Sequence, residues 1–269
     1  MSVLNALGDG AVVAKRNLIK IKRVPDLLVF TTLQPIMFVL LFAYVFGGSI
    51  RVPGVNYREF LMAGIFAQTV VFGATLTGSG LADDMQKGII DRFRSLPMSR
   101  SAVLLGRTLS DILNNVIVVI VMSLTGLVVG WRVHTSPLEA LGGFALLLLF
   151  SYAFSWVMAF VGLLVPTVEV VNSASFIVLF PITFAASTFV PLQSLPGPLQ
   201  RFAEWNPVTT ISEACRHLFG NVPADPRLRN VSDAWSIQHP VLYTVLWAVL
   251  ILAIFVPLAN RQYSRAVTR

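Results

Sequence analysis

The sequence has little charge and almost no cysteine, and both shortages limit what the protein can be. Only 12% of its 269 residues are Asp, Glu, Lys or Arg, whereas an average soluble domain carries about a quarter. Cys215 is the single cysteine, so neither an internal disulfide nor a cysteine-rich metal site can form. With 55% hydrophobic residues and a mean hydropathy of +0.75, the composition indicates a protein embedded in lipid.

Motifs of several enzyme classes are also missing. The sequence has no glycine-rich phosphate loop ending in Lys and Ser or Thr, which an ATPase of that type needs to hold phosphates and magnesium. It has no His-Glu-x-x-His zinc motif and no Gly-x-Ser-x-Gly nucleophile elbow. We therefore expect no catalytic residues, no metal site and no cofactor bound by this protein itself.

Six apolar segments are long enough to cross a hydrocarbon core of about 30 Å, which takes about 20 helical residues. These segments are 27–46, 60–81, 109–129, 138–164, 171–190 and 241–259. They predict an all-α integral membrane protein with six transmembrane helices in a single domain over residues 1–269. In the fifth segment Pro181 removes a backbone donor, so we expect a kinked or broken helix there.

The distribution of Lys and Arg predicts the orientation, because short positively charged loops stay in the cytoplasm. With the N-terminus inside, 13 of the 20 basic residues lie on the cytoplasmic side. We expect a protein of the plasma membrane with both termini in the cytoplasm. We also expect the protein to come from a bacterium. The net charge of +7 forms no basic stripe interleaved with aromatic residues, so we expect no nucleic-acid partner.

The N-terminal segment 1–24 has the pattern of an amphipathic helix at the inner membrane surface. Small and apolar residues recur at steps of three and four, while Arg16 and Lys20 project elsewhere. The apolar positions are Leu4, Leu7, Ala11, Ala14, Leu18 and Ile21. Such a helix binds lipid head groups through its basic residues; the alternative is that these charges only set the topology.

The cytoplasmic loop 83–100 is too long for a simple turn. Met85, Ile89 and Phe93 are spaced by four, which predicts a short helix over 84–96 with one apolar stripe. Charged residues surround that stripe, and Pro97 discourages continuation. The pattern alone fits a docking element for a partner protein, but most charged loops of this kind simply connect two helices and keep positive charge inside.

On the predicted outer side, residues 195–220 form two short helices around Asn206 and Pro207. Their apolar residues, including Trp205, suit the head-group layer, so we expect a shallow re-entrant hairpin. The hairpin is either an extracellular gate or an ordinary interfacial cap.

Few polar groups lie within the predicted spans. Hydrogen bonds between helices account for Gln34, Gln68, Asn114, Asn115 and, near an inner end, Asp111. Because the middles of the spans carry no ionisable residues, an ion-coupled secondary transporter is disfavoured, although it remains an alternative together with a purely structural scaffold. The sequence contains 19 phenylalanines, but their number alone does not identify a residue that contacts substrate.

Two stretches carry a family resemblance. One is Lys-Gly-Ile-Ile-Asp-Arg-Phe-Arg-Ser-Leu-Pro-Met-Ser-Arg at 87–100, and the other joins Asn-Pro-Val-Thr at 206–209 to Glu-Ala-Cys-Arg at 213–216. The sequence resembles an ABC-2 type transport permease of the daunorubicin-resistance family. The resemblance, together with the six-helix layout, covers nearly the whole sequence.

The resemblance implies that transport and ATP hydrolysis belong to separate subunits. ATP and magnesium belong to a separate ATP-binding cassette ATPase, present in two copies, and a second permease subunit, identical or closely paralogous, completes the transport path. Residues implied to contact the ATPase are Asp84, Lys87, Gly88, Ile89, Asp91, Arg92, Phe93, Arg94, Pro97, Arg16 and Lys20. Residues implied to form the outer hairpin or gate are Trp205, Asn206, Pro207, Glu213 and Arg216.

The expected function is export of a hydrophobic or amphipathic small molecule, such as a drug, an antibiotic or a lipid-like compound. The energy would come from ATP hydrolysed on the separate subunit. An ABC-2 exporter of a glycan or lipid precursor is the alternative within the same family.

Overall fold

A computed structural model describes residues 25–90, 102–165, 167–225, 228 and 232–266. The predicted amphipathic helix at 1–24 and most of the cytoplasmic loop lie outside these ranges. Within them the regular structure is helical, which confirms the all-α prediction. The helices are α1 Pro25–Leu40, α2 Tyr57–Gly73, α3 Thr75–Gln86, α4 Ala102–Val129, α5 Pro137–Leu164, α6 Val168–Phe184, α7 Gly197–Trp205, α8 Pro207–Phe219, α9 Trp235–Gln238 and α10 Pro240–Ala266.

Among the described residues, four helical stretches are long and apolar enough to cross a membrane. They are Tyr57–Gln86, Val103–Val129, Pro137–Leu164 and Pro240–Arg265. Two shorter apolar helices, Thr32–Phe46 and Val168–Phe184, overlap the first and fifth predicted segments. The first of these ends in a π-helix at Leu41–Phe46. The protein is therefore a multi-pass membrane protein, and the complete six-span topology stays a prediction.

Helix α5 lies at the centre of the bundle and packs against α2, α3, α4, α8 and α10. Its start is fixed by a capping box, in which the Ser136 hydroxyl accepts from the Glu139 N–H and the Glu139 carboxylate accepts from the Ser136 N–H. Pro137 occupies the first helical position, where its missing N–H costs nothing. These local signals place the apolar run of α5 in one fixed register inside the bundle.

Glycine permits the close crossing of α3 and α5. A Cβ atom built on Gly162 would lie 2.4 Å from the carbonyl oxygen of Gly78. Side chains larger than hydrogen would force these two backbones apart, which is the way small residues tighten helix packing in membranes.

The second predicted span is not one continuous helix. Helix α2 ends at Gly73, and α3 begins at Thr75. The N–H of Ala74 donates to the carbonyl of Phe72, so the regular hydrogen-bond pattern is interrupted there. The predicted span 60–81 lies within the described stretch Tyr57–Gln86, which is long and apolar enough to cross a membrane and carries this one irregular turn at Ala74.

The fifth predicted span differs in another way. Helix α6 runs through Pro181 and ends three residues later at Phe184, so the break expected at the proline is absent. The N–H of Ala185 still donates to the carbonyl of Pro181. Pro181 has no N–H to donate within the helix, and the helix ends within one turn of it; residues 185–190, predicted to be helical, follow as an irregular linker.

Candidate functional site

The cytoplasmic end of α3 is the start of the predicted ATPase interface. The helix stops at Gln86, and Gly88 adopts a positive φ of 61°, a conformation that glycine adopts without strain. The continuous helix predicted over 84–96 is therefore wrong at its start, because Gly88 turns the backbone between Met85 and Ile89. These two side chains do not share one helical stripe.

The described part of this interface contains one exposed cation and one buried acid. Lys87 is 59% exposed and forms an ion pair of 2.7 Å with Asp83, whereas Asp84 is only 3% exposed. Ile90 packs into the core beside Leu81. Asp84 thus faces the interior of this subunit and not a partner surface. The other implied contact residues, Asp91, Arg92, Phe93, Arg94, Pro97, Arg16 and Lys20, lie outside the described ranges, and the docking role stays a prediction.

On the predicted outer side, α7 and α8 meet at Asn206. Its side-chain oxygen accepts from the N–H of Val208 at 2.8 Å, which caps α8, and Pro207 follows at the first helical position. Its side-chain nitrogen donates to the carbonyls of Ile182 at 2.7 Å and Ala185 at 3.1 Å. One amide therefore fastens the start of α8 to the end of α6.

Helix α8 is covered by other helices on the face that the sequence suggested for the head-group layer, and the re-entrant hairpin stays a prediction. It packs between α2, α5 and α10, and Val208, Ile211 and Cys215 are completely buried. The apolar face that we assigned to lipid is covered by these helices. Trp205 of α7 is half exposed and lies edge-on to Tyr243, with ring centroids 5.9 Å apart.

Arg216 is the centre of a buried polar network on α8. Its Nε donates to the Phe60 carbonyl at 3.1 Å, and its Nη1 donates to the Ser187 hydroxyl at 2.9 Å and to the Glu213 carboxylate at 2.6 Å. Its Nη2 donates to the Ser187 carbonyl. Burial lowers the pKa of the Arg216 guanidinium, and the Glu213 carboxylate opposes that shift. This arginine therefore joins α2, α8 and the linker.

Further contacts hold the linker 185–190 against α2 and α8. The Ser187 N–H donates to the Thr209 hydroxyl at 3.1 Å, and the Tyr57 hydroxyl donates to the Phe189 carbonyl at 3.0 Å. A Cβ built on Gly64 would lie 2.1 Å from the Thr188 carbonyl oxygen. We call this set of contacts, with those of Asn206 and Arg216, the linker clamp. It connects α8 to the end of α6.

A row of phenylalanine rings connects α2, α6, the linker and α1. Successive ring centroids lie between 4.0 and 6.5 Å apart. In order, the rings of this phenylalanine ladder are Phe72, Phe176, Phe180, Phe184, Phe189, Phe42 and Phe46, with Phe38 beside Phe189. Phe176 is 55% exposed. The sequence shows phenylalanines spaced by four at 38, 42 and 46 and at 176, 180 and 184, but it does not show that these two runs meet.

A second apolar feature is a cavity of about 620 Å³ between α5, α6 and α10. Met158, Val178 and Trp247 line its walls, while Phe202 and Trp205 of α7 lie at one end. The size and lining suit a hydrocarbon chain or the apolar part of a small amphipathic molecule.

The polar residues inside the spans are only partly explained by hydrogen bonds between helices. Asp111 of α4 accepts from the Thr77 hydroxyl of α3, as expected for such a bond. Arg107 of α4 donates to the Leu76 carbonyl at 2.9 Å. The Asn115 amide instead donates to the Asp111 carbonyl of its own helix at 2.9 Å.

Comparison with known proteins gives a consistent result. The pattern of the ABC-2 type transporter family matches residues 11–219. The daunorubicin resistance ABC transporter permease DrrB1 of Streptomyces coeruleorubidus is 32% identical over 248 residues, which cover 92% of this protein and 83% of the relative.

Two further relatives are more distant. The doxorubicin resistance ABC transporter permease DrrC of Mycobacterium tuberculosis H37Rv is 27% identical over 205 residues, covering 74% of this protein and 69% of the relative. The transport permease ycf38 of Cyanophora paradoxa is 27% identical over 215 residues, covering 78% and 73%. All three are permeases.

Proposed function

The protein belongs to the ABC-2 type transporter family and is the membrane subunit of an ABC exporter, and from this premise we propose its cargo, partners and coupling. The cargo is a hydrophobic or amphipathic small molecule of the anthracycline kind, moved out of the cell. The energy comes from ATP bound to a separate cassette ATPase. The family match, together with a drug-resistance permease similar over nearly the whole length, is the observation that carries this proposal.

The assembly that we propose contains two permease subunits and two ATPase subunits. Six helices of each permease cross the membrane with both termini in the cytoplasm, where the loop after α3 meets the ATPase. The exposed Lys87 and the turn at Gly88 support this placement, because a glycine turn directs the following segment away from α3.

The phenylalanine ladder supports an aromatic or otherwise apolar cargo. Phe176 and Phe180 lie on α6 beside the exposed Ile177. This face of α6 therefore offers a cargo molecule both apolar surface area and aromatic rings. Aromatic pairs contribute about 0.5–1.5 kcal/mol beyond the area that they bury. We propose that cargo moves along this face, between the two permease subunits.

The linker clamp suggests how the outer side opens. ATP-driven movement of the cytoplasmic loop shifts α3, which crosses α5 at Gly78 and Gly162. Helix α8 packs on α5 and is fastened to the end of α6 through Asn206 and Arg216. Displacement of the bundle is thereby carried to the cargo-facing helix. In this proposal Arg216 positions the gate and does not contact cargo.

Coexpression with the cassette ATPase encoded beside the permease gene tests the proposal. The two proteins are expected to copurify, to hydrolyse ATP in lipid, and to export daunorubicin from loaded vesicles in an ATP-dependent way. Lack of copurification with any cassette ATPase contradicts the assembly, and an active complex that does not export daunorubicin contradicts the cargo class.

The coupling loop has its own test. Phe93→Ala and Arg94→Ala are expected to reduce ATP-dependent export while the permease still inserts into the membrane. Leu124→Ala, an exposed position on α4, is the control. Unchanged export by both loop variants contradicts the docking role.

A further inference from the structure

The break between α2 and α3 lies beside a polar cavity of about 120 Å³. Side chains of four helices line it: Gln34 and Phe38 of α1, Gln68 and Phe72 of α2, Thr75 of α3, and Asn114 and Asn115 of α4. At about 30 Å³ per water molecule, this volume accepts about four waters or a small polar group. Discontinuous membrane helices with polar neighbours are common places for substrate binding.

Asn115 presents an unmatched acceptor at this break. The residue is 1% exposed, and its side-chain nitrogen donates to the Asp111 carbonyl, which fixes the orientation of the amide. Its side-chain oxygen is buried and has no hydrogen-bond partner among the residues that the structure describes. This oxygen lies 2.7 Å from the place of a Cβ on Gly73. A cargo donor that reaches this oxygen supplies the hydrogen bond that it lacks.

Thr75 presents a second unmatched group. Its hydroxyl oxygen is also buried without a partner within the described part of the sequence, and Thr75 lines the same cavity as Asn115. These two groups come from different helices and meet at the break. The remaining polar lining consists of neutral amides and hydroxyls, which select uncharged or singly charged donors over anions.

The walls of the cavity are apolar and aromatic. Phe38 and Phe72 line it and are also members of the phenylalanine ladder. A molecule with a ring system on the ladder would therefore place a polar substituent next to Asn115 and Thr75. The apolar and polar surfaces adjoin, as an amphipathic cargo requires.

We propose that this cavity binds the hydroxyl- or amine-bearing part of an amphipathic cargo, with the Asn115 side-chain oxygen and the Thr75 hydroxyl as its hydrogen-bond partners. The inference rests on the proposed export function and assigns specificity residues to it. A cargo with donors at this position is preferred over an apolar molecule of similar size.

Daunorubicin, which carries hydroxyl groups and an amino sugar, and N-phenyl-1-naphthylamine, which is largely apolar, are suitable probes. In the permease–ATPase complex, Asn115→Leu and Thr75→Val are expected to weaken daunorubicin binding about 5- to 10-fold, as for the loss of one hydrogen bond. Binding of the apolar probe is expected to stay within about 2-fold. Asn260→Leu is the matched control, because the Asn260 amide also donates to a carbonyl of its own helix, that of Val256, at 2.8 Å.

Thiol labelling tests the site without relying on a loss of binding affinity. Cys215 is completely buried, so the unmodified protein provides the blank. A cysteine introduced by Gln34→Cys, at an exposed residue of the cavity lining, is expected to react with the water-soluble reagent aminoethyl methanethiosulfonate, and daunorubicin is expected to slow that reaction. A cysteine introduced by Ile120→Cys, on the exposed face of α4, is expected to react slowly with or without daunorubicin.

The outcomes separate the site from the export function. The site is overturned if both cavity variants bind daunorubicin as tightly as the unmodified complex, or if daunorubicin does not slow the labelling. If daunorubicin is still exported, the export function stays intact. Absence of daunorubicin export by the unmodified complex overturns the cargo class and this inference with it. Weaker binding of both probes to the same extent also overturns the inference, because it indicates general damage and not loss of a hydrogen bond.

Discussion

The guanidinium of Arg216 lies over the ring of Phe60, 3.5 Å from its centroid, while its Nε donates to the carbonyl of the same residue. Both contacts tie α8 to α2. Because Arg216 is fully buried beside Glu213, its charge is neutralised only by this local network. Removal of one member leaves the others without partners.

Arg216→Ala is expected to destabilise the permease by about 3–5 kcal/mol, the usual effect of breaking a buried ion pair. The variant should show a lower midpoint of thermal unfolding in detergent and less protein in the membrane. Arg201→Ala removes an arginine from an exposed position of α7 and is expected to change the midpoint little. Equal behaviour of the two variants contradicts the role of the Arg216 network.

Gly64→Ala tests the contact between α2 and the linker. Alanine normally stabilises a helix by up to about 1 kcal/mol over glycine, but here the new methyl group meets the Thr188 carbonyl at 2.1 Å. We expect a net loss of about 1–3 kcal/mol from overpacking, together with reduced export, measured by unfolding and vesicle assays. Gly48→Ala has no atom within 4 Å of its new methyl group and serves as the control.

Gly162→Ala tests the crossing of α3 and α5. Its methyl group would come within 2.4 Å of the Gly78 carbonyl oxygen, so the two helices must separate. We expect destabilisation by about 1–3 kcal/mol. Gly142→Ala, on the same helix, meets only a Leu218 methyl group at 3.9 Å. A Gly162→Ala protein as stable as Gly142→Ala would show that the close crossing does not matter for stability.

Phe180→Ala tests the phenylalanine ladder. Phe180 lies between Phe176 and Phe184, at ring distances of 4.9 and 4.0 Å. If cargo stacks on this row, daunorubicin export at subsaturating concentration is expected to fall about 3- to 10-fold, the loss of one aromatic contact. Ile177→Ala, on the same helix and 72% exposed, is expected to keep more than half of the export. Equal losses argue against a specific role for the rings.

The apolar runs predicted much of the helical architecture, because about 20 consecutive apolar residues have few alternatives to a membrane helix. Local signals were informative where they were strong: Ser136 and Glu139 cap α5, and Asn206 and Pro207 start α8. The break at Ala74 was missed because Gly73 is a weak signal by itself, and its close neighbour, the Asn115 side chain, comes from another helix.

The candidate site was less predictable than the helices. Arg216 was assigned to an outer hairpin, but its burial depends on Ser187 and Phe60, which are 29 and 156 residues away in the sequence. Helix α8 looked interfacial because its hydrophobic residues form one face, and that pattern is the same whether lipid or protein covers it. Asp84 was implied to contact the ATPase, but its burial could not be predicted, because charge alone does not reveal burial.

Helix α6 has 17 residues and at 1.5 Å per residue rises about 25 Å, less than the hydrocarbon thickness of about 30 Å. The linker that follows α6 has backbone groups bonded to Tyr57, Thr209 and Arg216, so lipid need not satisfy them. Next to the exposed face of α6 the bilayer is therefore expected to thin. Hydrophobic mismatch at this one helix shortens the distance that an apolar molecule travels between the two leaflets.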